Sequence, residues 1–595
     1  MLKKAYPVNP EFKRFISLEQ WQKGAAPFFF ESRESLKFEK VRDERLKEDA
    51  QRILNGEIQF FSHEWKKLGK DYDWLTNPDT GYHYDISKHW TEVADLSREA
   101  GDIKFTWEKS RFSYLYTIIR YDYHFDEDHS EFVFNEIADW IEKNPINQGP
   151  NYKCSQETSL RILNWSFALY FYRNSEHLTE EVFQKMMHSI YWQIRHVRSN
   201  IQFSRISVRN NHAITETLTL YLTSLLYPFF PQAEERKRKG KAWFEQEIAY
   251  QIYRDGTFLQ FSMNYHRVVI QLLTWAIGLA ELHHEKYVDV VYERAFKSLD
   301  FLFQCQEESS GWLPNYGSND GALFFKLSQN DYRDYRPQLD ALHQMLTDEK
   351  LYADDYEDKG WYSVTLKKYP AVKRKFGCIS YPVSGYYLTR EADTLTFIHC
   401  GGYKDRPAQA DNMHIDVWYR GENVLLDAGS YKYNTTPELT KYFVGTSSHN
   451  TVMLDENDQM LKGGRFIWYY WPKCAKANLE EGKDGYVFEG SVNAFGQLGK
   501  DIIHHRKVVK KKGQPEWIVE DEIEHKPEGM KMIQIWHYDD GLMVHGERFM
   551  VEFESNGERK EGEGWTSDYY GEKRSTVQTE FVTNSNKITT TIKLK

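Results

Sequence analysis

Between about residues 60 and 350, apolar residues recur at three- and four-residue spacing, and past residue 375 they fall at every second position. The first period is that of helices and the second that of half-buried strands. Helices are expected over Glu157 to Tyr172, Glu180 to Val197, Ala213 to Leu226, Lys241 to Tyr253, Val268 to His283 and Tyr287 to Gln304. The stretch from Val269 to Leu282 is apolar on most sides and should be buried. So many helices on short connections imply a layered array, an α/α toroid (an incomplete helical barrel), rather than a four-helix bundle. Alternating runs at Gly377 to Thr389, Thr394 to His399, Asp501 to Val509, Glu516 to Glu524 and Ile588 to Leu594 predict an antiparallel β-sandwich. The acidic, Lys- and Tyr-rich segment 347–375 marks the boundary. The expectation is therefore an α+β multidomain chain, with a toroid over 1–360, including an N-terminal extension 1–60, and a sandwich over 361–595.

The alternation is most informative in Asn412-Met413-His414-Ile415-Asp416-Val417-Trp418, where Met413, Ile415 and Val417 share one strand face and His414, Asp416 and Trp418 the other. Arg420-Gly421-Glu422-Asn423 reads as a hairpin turn leading through Val424-Leu425-Leu426 into Asp427, and His449 precedes the next apolar run. Two His and two Asp on neighbouring strands suit zinc or manganese, or else form a polar, hydrogen-bonded sheet face.

The 595 residues exceed one core. An aromatic fraction of 16%, with 18 Trp and 40 Tyr, suits either sugar stacking or large cores. A net charge of −11 without a basic stripe argues against nucleic acid, and an anionic substrate would need a locally basic cleft. The five cysteines form no disulfide framework, and no window is apolar enough for a membrane span. The charged start, Met1 to Pro7, lacks the apolar core of a signal peptide, so the expected location is cytoplasmic, or periplasmic if a leader was removed.

In the helical half, Arg205, Arg209, Asn210, Asn211 and His212 crowd eight residues, and either asparagine could cap the following helix or bind an anion. Tyr265-His266-Arg267 heads another helix, and Asn319-Asp320 lies in a loop of turn formers.

Together these segments resemble the heparinase II/III-like polysaccharide lyases. The similarity is carried by Asp102 to Arg111, by Asn210-Asn211-His212, by Asp255-Gly256 with Asn264-Tyr265-His266, and by the stretch from Asp411 through Asp427-Ala428-Gly429 to His449-Asn450. It implies cleavage of a uronate-containing acidic polysaccharide by β-elimination at the interface of the halves. Asn211 would neutralise the uronate carboxylate, aided by His212, while Tyr265 would serve as the acid, and as the base too when the two groups lie on one face, with a His of the β half serving the other geometry. The donors Arg205, Arg209, Asn210, Arg267, Asn319 and Gln409 would hold the chain, with no organic cofactor. Where this family has His-x-His-Ala-Asp, the chain has Pro407-Ala408-Gln409-Ala410-Asp411. The implied metal set is then Gln409, Asp427 and His449, a poorer zinc site than one with another imidazole. His414 is the replacement base or ligand expected from its position. Two other readings stay open: a glycoside hydrolase using Glu216, Asp255 or Asp320, and a non-catalytic glycan-binding or polysaccharide-assembly protein.

Overall fold

A computed structural model describes residues 6–94, 96–539, 541–544 and 547–595. The charged stretch Met1–Ala5 lies outside the described residues. The helical half is an α toroid whose inner helices are apolar enough to be surrounded. Every residue of Ser155–Phe171 is buried, as is every residue from Met263 to Ala280 in the helix Met263–Leu282. Glu180–Gln202 and Ala233–Gln251 instead bury one side only, as expected of an outer layer. The helix Asn211–Leu226 lies at the centre, packed on Ser155–Phe171, Glu180–Gln202, Ala233–Gln251 and Met263–Leu282. Its first turn is thereby held in place from four sides.

The last short helix, Glu357–Gly360, gives way to an extended connection and then to the strand Gly377–Tyr381. The run expected from Gly377 to Thr389 is a hairpin of two strands, Gly377–Tyr381 and Tyr386–Arg390, because Ser384 and Gly385 turn the chain. Thr394–His399 and Ile415–Tyr419 continue this antiparallel sheet, and Glu422–Leu425 closes it. Arg420 and Gly421 (φ 48° and 92°) form its two-residue turn, both in the left-handed region that a primed turn demands.

This sheet is buried on both faces. Tyr386, Leu388, Phe397 and Trp418 join the core of the toroid, whereas Tyr387, Ile398, Ile415 and Val417 pack with Phe488, Val508, Trp517 and Ile592 of a six-stranded antiparallel sheet. A four-stranded sheet, containing Val452–Leu454 and Met532–Tyr538, completes the sandwich. The two halves thus share one continuous apolar seam, which holds the groups on either side of it in register. Among the described residues, no helix is long and apolar enough to cross a membrane, and all five cysteines are free.

Candidate active site

A cleft of about 660 Å³ opens between the halves. Its walls carry Lys104, Lys153, Lys432, Lys441, Lys462 and Arg465 against two carboxyl groups, Asp102 and Glu216. A chain of net charge −11 therefore concentrates cations at this surface, which favours an anionic ligand.

The helical wall is built from helix starts. Asn210 is the cap of Asn211–Leu226: its side chain accepts the His212 N–H at 3.0 Å. Because Asn210 does the capping, the Asn211 side chain is not spent on the helix end. Asn211 is 2% exposed, its backbone N–H donates to Gln260 and its Nδ2 lies 3.4 Å from Gln156 Oε1. His212 lines the cleft with its Nδ1 3.8 Å from Cys154 Sγ, and burial lowers its pKa to about 4. It is therefore a neutral hydrogen-bonding group near neutral pH. Behind them Arg111 grips Glu157 through two hydrogen bonds of 2.7 and 3.0 Å and meets Glu108 at 3.0 Å. One turn on from His212, Glu216 accepts a 2.7 Å bond from Ser204, and burial lifts its pKa to about 8.

Tyr265 sits in the first turn of Met263–Leu282, where the Ser262 side chain caps its N–H at 3.0 Å. Its hydroxyl lies 2.5 Å from the Tyr433 hydroxyl, and Tyr433 lines the cleft. Burial first, then the Asp320 carboxylate and Tyr433, hold the Tyr265 pKa well above the ordinary value. Lys104 Nζ is 4.1 Å from the centres of both the Tyr433 and Tyr570 rings and donates to the Tyr570 hydroxyl at 2.9 Å. Tyr570 in turn donates to Asp102 and accepts from the Tyr433 N–H. Sequence reasoning missed Tyr433, Tyr570 and Lys104 as site residues. Lys104 lies within the motif Asp102 to Arg111, and Tyr433 follows Asp427-Ala428-Gly429 by four residues, so both had a local signal. Tyr570 had none, because only the fold brings residue 570 to residue 104.

Other expected groups lie elsewhere. Arg205 pairs with Glu247 at 3.0 Å and with Gln246 on the outer face of the toroid. Arg267 is fully buried, stacked between Tyr332 and Tyr335 and bonded to the Tyr332 carbonyl. Neither can contact a ligand in the cleft, because each guanidinium is already held by protein groups away from it. Arg209, left-handed at φ 51°, stacks on Tyr250 at 3.3 Å, at the seam beside Lys404. Asn319 accepts from Tyr332 and from the Gly321 N–H, so it shapes its loop. Asp255 is tied to Thr257 and to the Val383 N–H.

The β-domain cluster is sealed. His414, Asp416, Asp427 and His449 are at most 1% exposed. The Asn450 N–H donates to His414 Nδ1 at 3.0 Å, so a neutral His414 carries its proton on Nε2, 3.5 Å from Asp427. Tyr316 stacks over the imidazole from the toroid side, and burial lowers its pKa to about 3. His414 cannot reach a substrate in the cleft as a base.

The same bonds test the implied metal. Asp427 accepts from the Gly429 N–H at 2.8 Å on one oxygen and from His449 Nδ1 at 2.8 Å on the other. Burial opposes charge on both groups, yet their mutual attraction raises the His449 pKa and lowers that of Asp427, which favours the charged pair. Gln409, 1% exposed, donates to the Gly429 and Phe443 carbonyls and ties two loops together. Although His414, Asp427 and His449 lie close enough together to surround an ion, His414 turns an N–H toward the carboxylate. The atoms of this cluster left without a hydrogen-bond partner are Gln409 Oε1, His414 Nε2, Asp416 Oδ2 and His449 Nε2, and of these His414 Nε2 bears the proton in the neutral tautomer. As hydrogen-bonded here, the cluster is closed on itself by the Asp427–His449 pair.

Two family models match this chain in order: Heparinase II/III N-terminus over residues 18–299, and Heparinase II/III-like, C-terminal over 374–594. The chain belongs to the heparinase II/III family. Curated relatives include a heparin-sulfate lyase of Bacteroides stercoris, 23% identical over 69% of this chain and 60% of the relative. Another, from Bacteroides thetaiotaomicron, is 22% identical over 64% of this chain and 54% of the relative. The chain thus spans somewhat more than half the length of the curated relatives it matches. Among solved structures, a heparinase III has a TM-score of 0.68 at 16% identity, over 97% of this chain and 88% of the other. A mutant heparan sulfate lyase from Pedobacter heparinus has a TM-score of 0.60 at 16% identity, over 97% and 87%. These structures share the fold: an α toroid followed by antiparallel sheets.

Proposed function

We propose that this member of the heparinase II/III family is a polysaccharide lyase that cleaves a uronate-containing acidic polysaccharide by β-elimination in the interdomain cleft. The observation that carries this reading is the Tyr265–Tyr433 hydroxyl pair, with Tyr433 and His212 lining the same basic cleft. In this reaction the C5–H bond breaks, its electron pair forms the C4=C5 bond, and the C4–O4 bond breaks with a proton delivered to O4. The C5 proton becomes removable only when charge flowing onto the adjacent carboxylate is stabilised. Asn211 Nδ2 and a neutral His212 supply hydrogen bonds there, and Lys104 supplies positive charge beside Tyr433.

Two hydroxyls 2.5 Å apart can pass one proton between them. With one proton of the pair lost to solvent when substrate binds, the resulting tyrosinate takes the C5 proton and the other hydroxyl gives its proton to O4 on the same face, so the pair ends with the single proton it began with. No step runs through a metal, and the Asp427–His449 pair holds the strands beneath the cleft. The reading is tested by following near-ultraviolet absorbance of the unsaturated product during incubation with acidic polysaccharides. Loss of that signal in Tyr265→Phe and in Tyr433→Phe supports it; unsaturated product formed at the wild-type rate by both variants overturns it.

A further inference from the structure

Two segments on opposite walls of the cleft hold large apolar side chains in water. On the helical side, the π-helical turn Phe203–Val208 leaves Phe203 58% and Ile206 71% exposed. On the β side, a hairpin pairing Leu461–Lys462 with Trp468–Tyr469 leaves Phe466 48% and Tyr469 53% exposed. Phe203 and Phe466 both line the cleft. Scattered exposed apolar residues need no explanation, but two groups bracketing one basic cleft form a surface that a ligand can cover.

The local geometry shows how each is presented. A π-turn adds a residue to the helical repeat, is rare, and is frequently found at functional sites. Here it turns Ser204 inward to Glu216 while Phe203 faces out. The hairpin has a fixed base: Trp468 is 3% exposed, packs with Ala410 and Met460, and donates its indole N–H to the Ala408 carbonyl at 3.1 Å. Its tip is closed by bonds from the Gly463 N–H to the Ile467 carbonyl (2.8 Å) and from the Ile467 N–H to the Gly464 carbonyl (3.0 Å). The Phe466 ring at this tip meets the Tyr433 ring edge-on, at 5.6 Å and 86°. The hairpin therefore packs against the ring whose hydroxyl pairs with Tyr265.

We infer that Phe466 and Phe203 are stacking platforms for sugar rings of the substrate chain, and that Phe466 positions the ring that reacts at Tyr265 and Tyr433. The inference rests on the lyase reading given above. Pyranose rings present C–H faces that pack on aromatic planes, while their carboxylates face the neighbouring Lys432, Lys441 and Lys462. Phe203 is then a binding platform, and Phe466 is both a platform and a positioning residue. Stacking tolerates many sugars, so these two residues set how firmly a long chain is held rather than which one.

The test compares the wild type with Phe203→Ala, Phe466→Ala and Phe466→Tyr, each first shown to melt like the wild type. The probes are heparan sulfate, hyaluronate, alginate and polygalacturonate. KM and kcat are read from unsaturated product, and binding is read from retardation in gels containing each polymer. Phe203→Ala is expected to raise KM for the turned-over polymer about tenfold, the scale of one lost aromatic contact. Phe466→Ala is expected to raise KM and lower kcat together, with Phe466→Tyr restoring both. Wild-type KM, kcat and retardation in both alanine variants overturn the inference. If the wild type turns nothing over but is retarded, and the alanine variants are not, the platforms stand and the lyase reading fails. A wild type that no polymer retards contradicts both.

Discussion

The two polar concentrations of this molecule, Asn211–His212 with Tyr265 on the helical wall and His414–Asp427–His449 beneath the β wall, look alike as residue types and do opposite things. On the helical wall each side chain sits at a helix start, and His212 and the Tyr265–Tyr433 pair meet the cleft. Beneath the β wall, donors and acceptors are turned on one another, and His449 neutralises Asp427 within the cluster. What separates the two regions is access: His212 and Tyr433 line the cleft, while the β cluster is at most 1% exposed.

The largest expected effect separates the two regions by activity. Tyr265→Phe lowers turnover about a thousandfold, within the range for loss of an acid–base group, and leaves the melting temperature nearly unchanged. Asn211→Ala lowers it about a hundredfold, as for removal of one donor to a developing negative charge. Product formation by Tyr265→Phe at close to the wild-type rate would remove the distinction.

The β cluster should respond in stability instead. Asp427→Ala leaves an uncompensated buried imidazolium and costs about 3–5 kcal/mol. Denaturant unfolding measures this, and the surviving folded fraction should keep its turnover. A variant of full stability and no activity would move the cluster into the reaction.

Acidity probes buried groups in both regions. His196, His266 and His414 are held near 3 and His212 and His537 near 4, in each case first by burial. Their folded values lie below the ordinary 6.5, so the unfolded chain takes up these protons first. Stability from them is full above about pH 6.5 and is lost as pH falls towards 4. Glu216 and Asp416 near 8 and Asp358 near 7 act in the opposite sense, losing stability as pH rises from the ordinary carboxyl range through those values. Five imidazoles against three carboxyls give a melting temperature that falls on acidification below pH 6.5. A flat profile from pH 7 to 4.5 would show that these imidazoles are not buried as described.

The smallest effect is the sharpest on the metal. Prolonged chelation should leave both melting temperature and turnover unchanged, and elemental analysis should find no stoichiometric zinc or manganese. A melting temperature that drops on chelation and recovers with zinc would show that Gln409, Asp427 and His449 do coordinate.

Much of this architecture was legible in periodicity. Thr394–His399 and Glu516–Glu524 appear at the boundaries read from alternation. The opposite faces of Met413-Ile415-Val417 and Trp418 hold because the sheet is buried between two cores. The same double burial is why His414 misled as a base. Alternation shows which residues share a face but not what covers it, and Tyr316, distant in sequence, covers this one. Arg205 and Arg267 failed for a related reason: density of cations along the chain does not reveal that Glu247 and the tyrosines Tyr332 and Tyr335 already occupy them. Tyr570 was invisible because its partners, Lys104 and Asp102, lie more than 460 positions away.

The most direct measurement is near-ultraviolet absorbance of the wild type and Tyr265→Phe, in parallel, with a panel of uronate-containing polysaccharides. The account predicts a rising signal with at least one polymer for the wild type and a near-flat trace for the variant. New reducing ends without unsaturated product, or equal rises in both proteins, would contradict β-elimination by the tyrosine pair.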